Sequence, residues 1–248
     1  MKIKPKHKQT KSNSYYSGIE ELFDTEQGLE FYNKDVLKKI LKGLGLIHNP
    51  KEASIIVEFG AGAGTLADIM QQEYGLKPVC VEIDPKLIQI LQTKGFQTYK
   101  DIKLLPSSTN FIYTSNVLEH IEDDLDALKQ IKRKMLPGAL LAIYVPALPV
   151  LFSEMDTKIG HYRRYTKKEL KQKVTDAGLK VDNCFYNDFL GVPAMLSLKL
   201  FGYKGKLGIG SKKSLIIYDR VIYPVSRLLD YFFMKRLVGK NLLLIARN

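Results

Sequence analysis

The sequence predicts an α/β protein built on a mostly parallel sheet, and two stretches carry that expectation. The first is Val57 to Thr65, V-E-F-G-A-G-A-G-T, which follows the apolar run Ile55, Ile56, Val57 and leads into L-A-D-I-M-Q-Q. Apolar β-branched residues without alternation read as a strand buried on both faces, and a helix over Leu66 to Glu73 follows, so the glycines occupy a strand-to-helix turn. The second is P-V-C-V-E-I-D (Pro78 to Asp84), a strand ending in a carboxylate, Glu82, eighteen residues beyond Gly64. Open sheets of this kind bind ligands beyond the carboxyl ends of their strands.

Glycine suits the turn because the backbone bends sharply and a ligand can approach with no Cβ in the way. Gly60, Gly62 and Gly64 alternate, and Thr65 stands where the third glycine of G-x-G-x-x-G belongs. That spacing disfavours a pyrophosphate ligand. Glu82 is placed to accept both hydroxyls of a ribose, which by itself leaves nicotinamide dinucleotides and S-adenosylmethionine (SAM) both open.

The 248 residues suit one α/β domain with an appendage. The most apolar segment, Phe189 to Tyr203, is interrupted by Pro193 and Lys199 and falls short of a membrane span. The opening M-K-I-K-P-K-H-K has charge but no apolar region behind it, so no signal peptide is expected and a cytoplasmic protein is. Cys80 and Cys184 fall in predicted strands and imply neither a disulfide framework nor a zinc site. Of the net charge of +12, residues 1–11 carry +5 and residues 199–248 carry +9, so the body between is near neutral. Any anionic surface is therefore expected to meet the ends of the chain.

In order, residues 1–14 read as a disordered basic tail and 15–248 as a single domain. Helical apolar spacing from Gly18 to Leu46 forms an N-terminal cover (15–48), with Tyr15, Tyr16 and Tyr32 either packed in the core or near a ligand. Asp84 is an N-cap with Pro85 at the first helical position. Short strands follow at Gln97 to Tyr99 and Asn110 to Ser115, then a helix from Glu122 to Met135 closed by Pro137 and Gly138, and a strand from Ala139 to Val145. Pro146 to Tyr165 is a long loop with too many aromatics to be idle. Thr166-Lys-Lys-Glu169 is a capping box opening a helix that ends at Gly178, before strands at Lys180 to Tyr186 and Asn241 to Ala246. Between them, 188–238 is an apolar and basic insertion in which Val221, Val225, Leu228, Leu229, Phe232 and Phe233 share a helical face. Two readings stand for it, a lid packed on its own domain and a peripheral contact at the inner membrane surface.

The pieces E-F-G-A-G-A-G (58–64), V-E-I-D (81–84), K-D-I…L-P (100–106), T-S-N-V-L-E-H-I (114–121), L-P-G-A-L-L (136–141) and V-P-A (145–147) come in one order. In that order they resemble the class I SAM-dependent methyltransferases, particularly the bacterial small-molecule branch that includes the ubiquinone-biosynthesis enzymes. The resemblance covers roughly residues 50–185 and departs at Ala139, for a usual second glycine, and at Asn116, where some relatives carry an acid. It implies a seven-stranded Rossmann-like methyltransferase sheet, mostly parallel with an antiparallel last strand and helices on both faces, and SAM as cofactor. It further implies that Gly60 to Gly64 pass under the amino-acid end of SAM, Glu82 holds the ribose, Asp101 with Ile102 frames the adenine, and Asn116 with Val117 lines the sulfur side. Glu58, Ala61 and Ile83 are carried over with them as cofactor-binding residues.

Methyl transfer from a sulfonium is a direct displacement in which alignment supplies much of the rate. A hydroxyl acceptor also needs a base, and His120, after the fourth strand, and His161, in the aromatic loop, are the candidates. Some relatives hold a divalent metal through E-x-x-E-H and a further histidine; with Asn116 in place of the first glutamate, Glu119, His120 and His161 remain and no metal is assigned. Tyr162, Arg163, Arg164 and Tyr165 are expected to bind the acceptor, the guanidinium forks suiting phosphate or carboxylate. The expected reaction is methylation, at oxygen, of a small or lipid-linked anionic molecule. An RNA methyltransferase is the first rival, disfavoured because S-N-V-L-E-H is not the Asn/Asp-Pro-Pro-aromatic motif of many base aminomethylases and the charge avoids the catalytic core. A non-catalytic SAM-binding or membrane-associated protein is the second, and no segment marks an obligate protein partner.

Overall fold

The computed structural model describes residues 28–47, 55–106, 109–201 and 212–248. The tail expected over 1–14, the start of the helical cover with Tyr15 and Tyr16, and most of the Gly/Lys-rich link (204–213) lie outside the described residues. Seven strands form one sheet: β1 (Ile56–Phe59), β2 (Val79–Val81), β3 (Thr98–Tyr99), β4 (Thr109–Ser115), β5 (Met135–Pro146), β6 (Lys180–Asn187) and β7 (Asn241–Arg247). Their order is β3-β2-β1-β4-β5-β7-β6. The first five strands pair in parallel, and β7 lies antiparallel between β5 and β6, with Leu141 opposite Ala246 and Cys184 opposite Leu244.

β7 shows why the sheet has two cores. In N-L-L-L-I-A-R, Leu242, Leu244 and Ala246 point into one apolar cluster and Leu243 and Ile245 into the other. On the second face lies the cover helix α1 (Glu30–Gly43), whose Val36, Leu37, Ile40 and Leu41 pack with Tyr144, Leu243 and Ile245. Each such side chain contributes about 1.5–3 kcal/mol on burial. The remaining helices are α2 (Thr65–Tyr74), α3 (Pro85–Thr93), α4 (Asp124–Arg133), α5 (Glu154–Lys158), α6 (Lys167–Asp176) and α7 (Gly191–Phe201). α4 and α6 cover the first face through Leu128, Ile131, Leu170 and Val174.

Two expectations are corrected. α4 ends at Arg133, and Pro137 with Gly138 lies inside β5 rather than marking the helix stop. The end of the chain makes this segment a strand, since the Gly138 amide donates to the Asn248 carbonyl at 2.9 Å and the Asn248 amide to Ala139 at 3.0 Å. The stretch from Pro146 to Tyr165 is also no open loop: it holds a turn at Pro149–Leu151 and α5, which carries its own capping box between Ser153 and Asp156. Ala147 and Tyr165 form a bridge that closes its ends together.

The insertion continues past α7 as one helical run over 212–237, the outer run, formed of Lys212–Ile217, Tyr223–Leu229 and Lys235–Leu237 joined by π-helical turns at Tyr218–Ile222 and Asp230–Met234. No helix among the described residues is long and apolar enough to cross a membrane. The run packs on α1 through polar contacts. Asp219 accepts hydrogen bonds from the Phe31 and Tyr32 amides at 2.9 and 2.7 Å, and the Tyr223 hydroxyl donates to Asp35 at 2.7 Å.

Asp188 anchors the insertion. Its backbone is left-handed, φ 64°, and its buried carboxylate accepts from Ser226 Oγ at 2.9 Å, the Gly191 amide at 3.1 Å, the Tyr218 hydroxyl, and Lys240 Nζ at 3.1 Å. Burial alone would raise its pKa, but the Lys240 charge and the hydroxyl donors outweigh burial and hold it below the usual carboxylate range. Its contribution to stability is therefore present above the unfolded carboxylate pKa, about 3.9, and is lost as pH falls through the lower folded value. Removing one partner of a buried pair costs about 3–5 kcal/mol, so Asp188→Ala is expected to lower Tm by about 10 °C in a thermal melt. Asp188→Asn, which tolerates the left-handed backbone and keeps part of the network, is expected to lower it less.

Candidate active site

A cleft of about 990 Å³ opens at the carboxyl ends of β1, β2 and β4. α1 contributes Leu29, Tyr32, Asn33 and Val36 to one wall, and the segment before Tyr162 contributes Ile159 and Gly160 to another. No described residue of 188–238 lines it; the described part of the insertion packs on α1 and β6.

The three glycines of the turn are all left-handed, with φ 76° at Gly60, 55° at Gly62 and 84° at Gly64, but they do different work. A Cβ on Gly60 would lie 2.3 Å from Val117 Cγ2, and one on Gly64 would lie 2.7 Å from Leu91 Cδ2. A Cβ on Gly62 would meet nothing within 4 Å. Gly60 and Gly64 are thus required by packing, while Gly62 gives onto open space where a ligand can approach. Lys94 fixes the turn from behind, donating to the Ala63 carbonyl at 2.7 Å and pairing with Asp68 at 2.6 Å.

Of the residues assigned to the cofactor, Glu58, Gly60, Ala61, Gly62, Glu82, Ile83, Asp101, Ile102, Asn116 and Val117 all line the cleft. Gly64 does not; it is the left-handed N-cap of α2, packed on Leu91. Glu82 is buried at the end of β2, and its carboxylate accepts from the Gly62 amide at 2.8 Å, Ile83 at 2.8 Å and Asp84 at 3.0 Å. Burial raises its pKa against these three amides. A carboxylate offers about four acceptor positions, so with three taken by amides one is left for a ribose hydroxyl. Asp101 caps the turn Ile102–Leu104 through the Lys103 amide, 2.8 Å, and Asn116 closes β4 in a left-handed conformation, φ 53°. The open space at Gly62 and the oriented Glu82 carboxylate fit the adenosyl-amino acid that the sequence implies.

The two histidines come together. Their rings stand edge to face with centroids 4.6 Å apart; His120 is on the cleft wall, and His161 stands behind it. His161 Nδ1 lies 2.8 Å from Asp156 Oδ1, and its Nε2 is 3.8 Å from Glu119 Oε1. Burial, reinforced by His161, pushes the His120 pKa down to about 4 despite a hydrogen bond to the Gly160 backbone. Burial pushes Glu119 up to about 8. Ligand atoms of Glu119, His120 and His161 lie within 4.8 Å of one another, so the three possible metal ligands left in the sequence do converge.

Three residues expected to bind the acceptor are committed elsewhere. Arg163 donates to the Ile121 and Glu122 carbonyls at 3.1 and 2.8 Å and pairs with Asp124 at 2.9 Å. Arg164, 6 % exposed, donates to Asp156 at 2.8 Å. The buried Tyr165 hydroxyl donates to Asp124 at 2.8 Å. Their partners, Asp124 and Asp156, are buried carboxylates, which these donors satisfy. Tyr162, by contrast, lines the cleft and is 55 % exposed. Sequence reasoning passed over Asp156, the partner of His161, although Ser153-Glu-Met-Asp156 has capping-box spacing that marks the segment as ordered.

The glycines give a paired test. Gly62→Ala carries only the backbone penalty, about 1–2 kcal/mol, and is expected to lower Tm by a few degrees while weakening SAM binding at least tenfold by calorimetry. Gly60→Ala must also displace Val117 and is expected to lower Tm further. Unchanged SAM affinity in Gly62→Ala would refute the assigned pocket.

Comparison with known proteins agrees with this architecture. A family model described as a methyltransferase domain matches residues 29–183. Among solved structures, the chain is similar to a SAM-dependent methyltransferase from Archaeoglobus fulgidus, with 18 % identity over 87 % of this chain and 94 % of that one and a TM-score of 0.55. It is also similar to a "possible histamine N-methyltransferase" from Thermotoga maritima, with 14 % identity over 92 % and 93 % and a TM-score of 0.55. Phosphoethanolamine N-methyltransferase 2 of Haemonchus contortus, in complex with S-adenosyl-L-methionine, matches with 14 % identity over 86 % of this chain and 52 % of that one, again with a TM-score of 0.55. At these identities the likeness is one of fold. The matched family model spans more than half of the chain, which therefore belongs to the methyltransferase-domain family and carries it on the fold of the class I SAM-dependent enzymes.

Proposed function

We propose that the chain methylates a hydroxyl of a small or lipid-linked acceptor from SAM, with His120 as the base. The observation that carries this reading is geometric: the His120 imidazole stands on the wall of the cleft, held edge-on by His161. A neutral ring has a free nitrogen lone pair for a proton, whereas a charged one does not. Bound SAM supplies an electrophilic methyl group whose bond to sulfur breaks as the bond to the acceptor oxygen forms. His120 takes the proton that the hydroxyl loses in that step. Asp156 fixes the orientation of His161, and His161 packs edge-on to His120, so the base is held in place from behind. Tyr162 and Asn116 line the same cleft as His120.

The anionic character expected of the acceptor loses its support, because Arg163 and Arg164 are paired away from the cleft. The charged lining is instead acidic, with Glu58, Glu82, Asp84, Asp101, Asp123 and Asp126 against Lys100. That balance suits the positive charge of SAM. It also favours a second reading, an amine acceptor that loses its proton to the same histidine.

The test is a screen of hydroxyl and amine acceptors for S-adenosylhomocysteine formation, followed by His120→Ala. Loss of a general base is expected to lower kcat about 10²–10⁴-fold, with SAM affinity unchanged. The wild-type rate is expected to show no histidine limb near pH 6.5 and to fall only as pH approaches 4, where His120 takes up its proton. A limb near 6.5 with full activity in His120→Ala would remove His120 as the base. Loss of activity with a chelator would point instead to a cation held by Glu119, His120 and His161.

A further inference from the structure

Burial along the outer run is inverted. Asp219, Tyr223, Ser226 and Asp230, spaced by four, three and four, face the protein and are buried. Ile217, Val221, Val225, Leu228 and Phe232, spaced by four, four, three and four, face outward, with Val221 60 %, Leu228 56 % and Phe232 66 % exposed. A helix on a globular surface normally turns the other way. This rotation is fixed, because every inward polar group is engaged. Asp219 caps α1, Tyr223 donates to Asp35, Ser226 accepts from the Leu190 amide at 2.9 Å, and Asp230 accepts from the Asp188 and Phe189 amides at 2.7 and 3.2 Å.

The charges around the stripe have one sign. The acids of the run, Asp219 and Asp230, are buried and bonded, while Lys213, Arg220, Arg227 and Arg236 are exposed. An exposed apolar stripe on a run whose exposed charges, among the described residues, are all cations fits the boundary between anionic headgroups and acyl chains. Two copies paired through it would instead bring like charges together.

We propose that the outer run lies on an anionic lipid bilayer, with Val221, Leu228 and Phe232 entering the headgroup–acyl boundary. The inference rests on the rotation of the run and is independent of the acceptor and of His120. It is tested by co-sedimenting the full chain with phosphatidylcholine vesicles, with and without about 30 % phosphatidylglycerol, at about 0.1 M salt. Binding to the anionic vesicles is expected, and Val221→Glu with Leu228→Glu is expected to lower the partition coefficient at least tenfold while Tm and SAM affinity stay at wild-type values. Arg220→Glu with Arg236→Glu is expected to weaken binding to the anionic vesicles specifically. No binding by the wild type, or binding undiminished in the Val221→Glu, Leu228→Glu variant, would overturn the proposal. So would a wild-type dimer that this variant converts to monomer in sedimentation velocity without vesicles, because the stripe would then face a second copy.

Discussion

The Asp188 carboxylate is the constraint on which the arrangement of the last quarter of the chain depends. It sits where β6 gives way to α7, and its backbone carbonyl accepts from the Lys240 amide at 3.0 Å, just before β7. The chain thus leaves the sheet and returns to it at one point, and some fifty residues of insertion close into a loop with a fixed base. Lys240 completes the knot, its ammonium 3.1 Å from Asp188 and 5.1 Å from the Tyr32 and Tyr218 ring centroids. Tyr32 also lines the cleft, bonding through its hydroxyl to Tyr144 at 3.1 Å and Asn241 at 2.8 Å. One buried charge pair therefore ties the insertion, the last strand and a wall of the site.

A second pair of buried carboxylates does the same for the opposite wall. Asp124 gathers Arg163, Tyr165 and Lys173, and Asp156 gathers Ser153, His161 and Arg164. Burial would raise both pKa values, yet the donors hold both below the usual range, so both are charged wherever the protein is folded near neutrality. A loop of twenty residues becomes a rigid wall because two acids at its back neutralise its cations. His161 inherits its orientation from this arrangement, and His120 its low-dielectric surroundings.

What the sequence made legible was local. The glycine turn, the Asp84 cap and the Thr166–Glu169 capping box involve residues a few positions apart, and spacing alone specifies them. The strand order is not local in this way, and the seven-stranded sheet was expected only through the family resemblance. Arg163 and Arg164 read as acceptor ligands because a guanidinium looks equally suited to a ligand and to an acid, and nothing in the spacing names Asp124 as the partner of Arg163 or Asp156 as that of Arg164. Pro137 and Gly138 look like a helix stop because the pairing that makes them a strand comes from Asn248, at the other end of the chain. For the outer run, periodicity revealed the apolar stripe but not its direction, since a stripe has the same period whichever way it faces.

That direction follows from a defect in α1. Its N-cap position is Leu29, which supplies no side-chain hydrogen bond, so the first amides of the helix need an acceptor from elsewhere. Asp219 provides it from 188 residues away, to Phe31 and Tyr32. Turning the outer run by half a revolution would bury Val221 and Leu228 but withdraw Asp219 and Asp230 from four backbone amides. Burying a polar group without a partner costs about 1–3 kcal/mol, and these four amides, with the inward Tyr223 and Ser226 hydroxyls, oppose the gain from burying the five residues of the stripe. The apolar stripe faces outward because the cover helix of the cleft cannot end its own first turn.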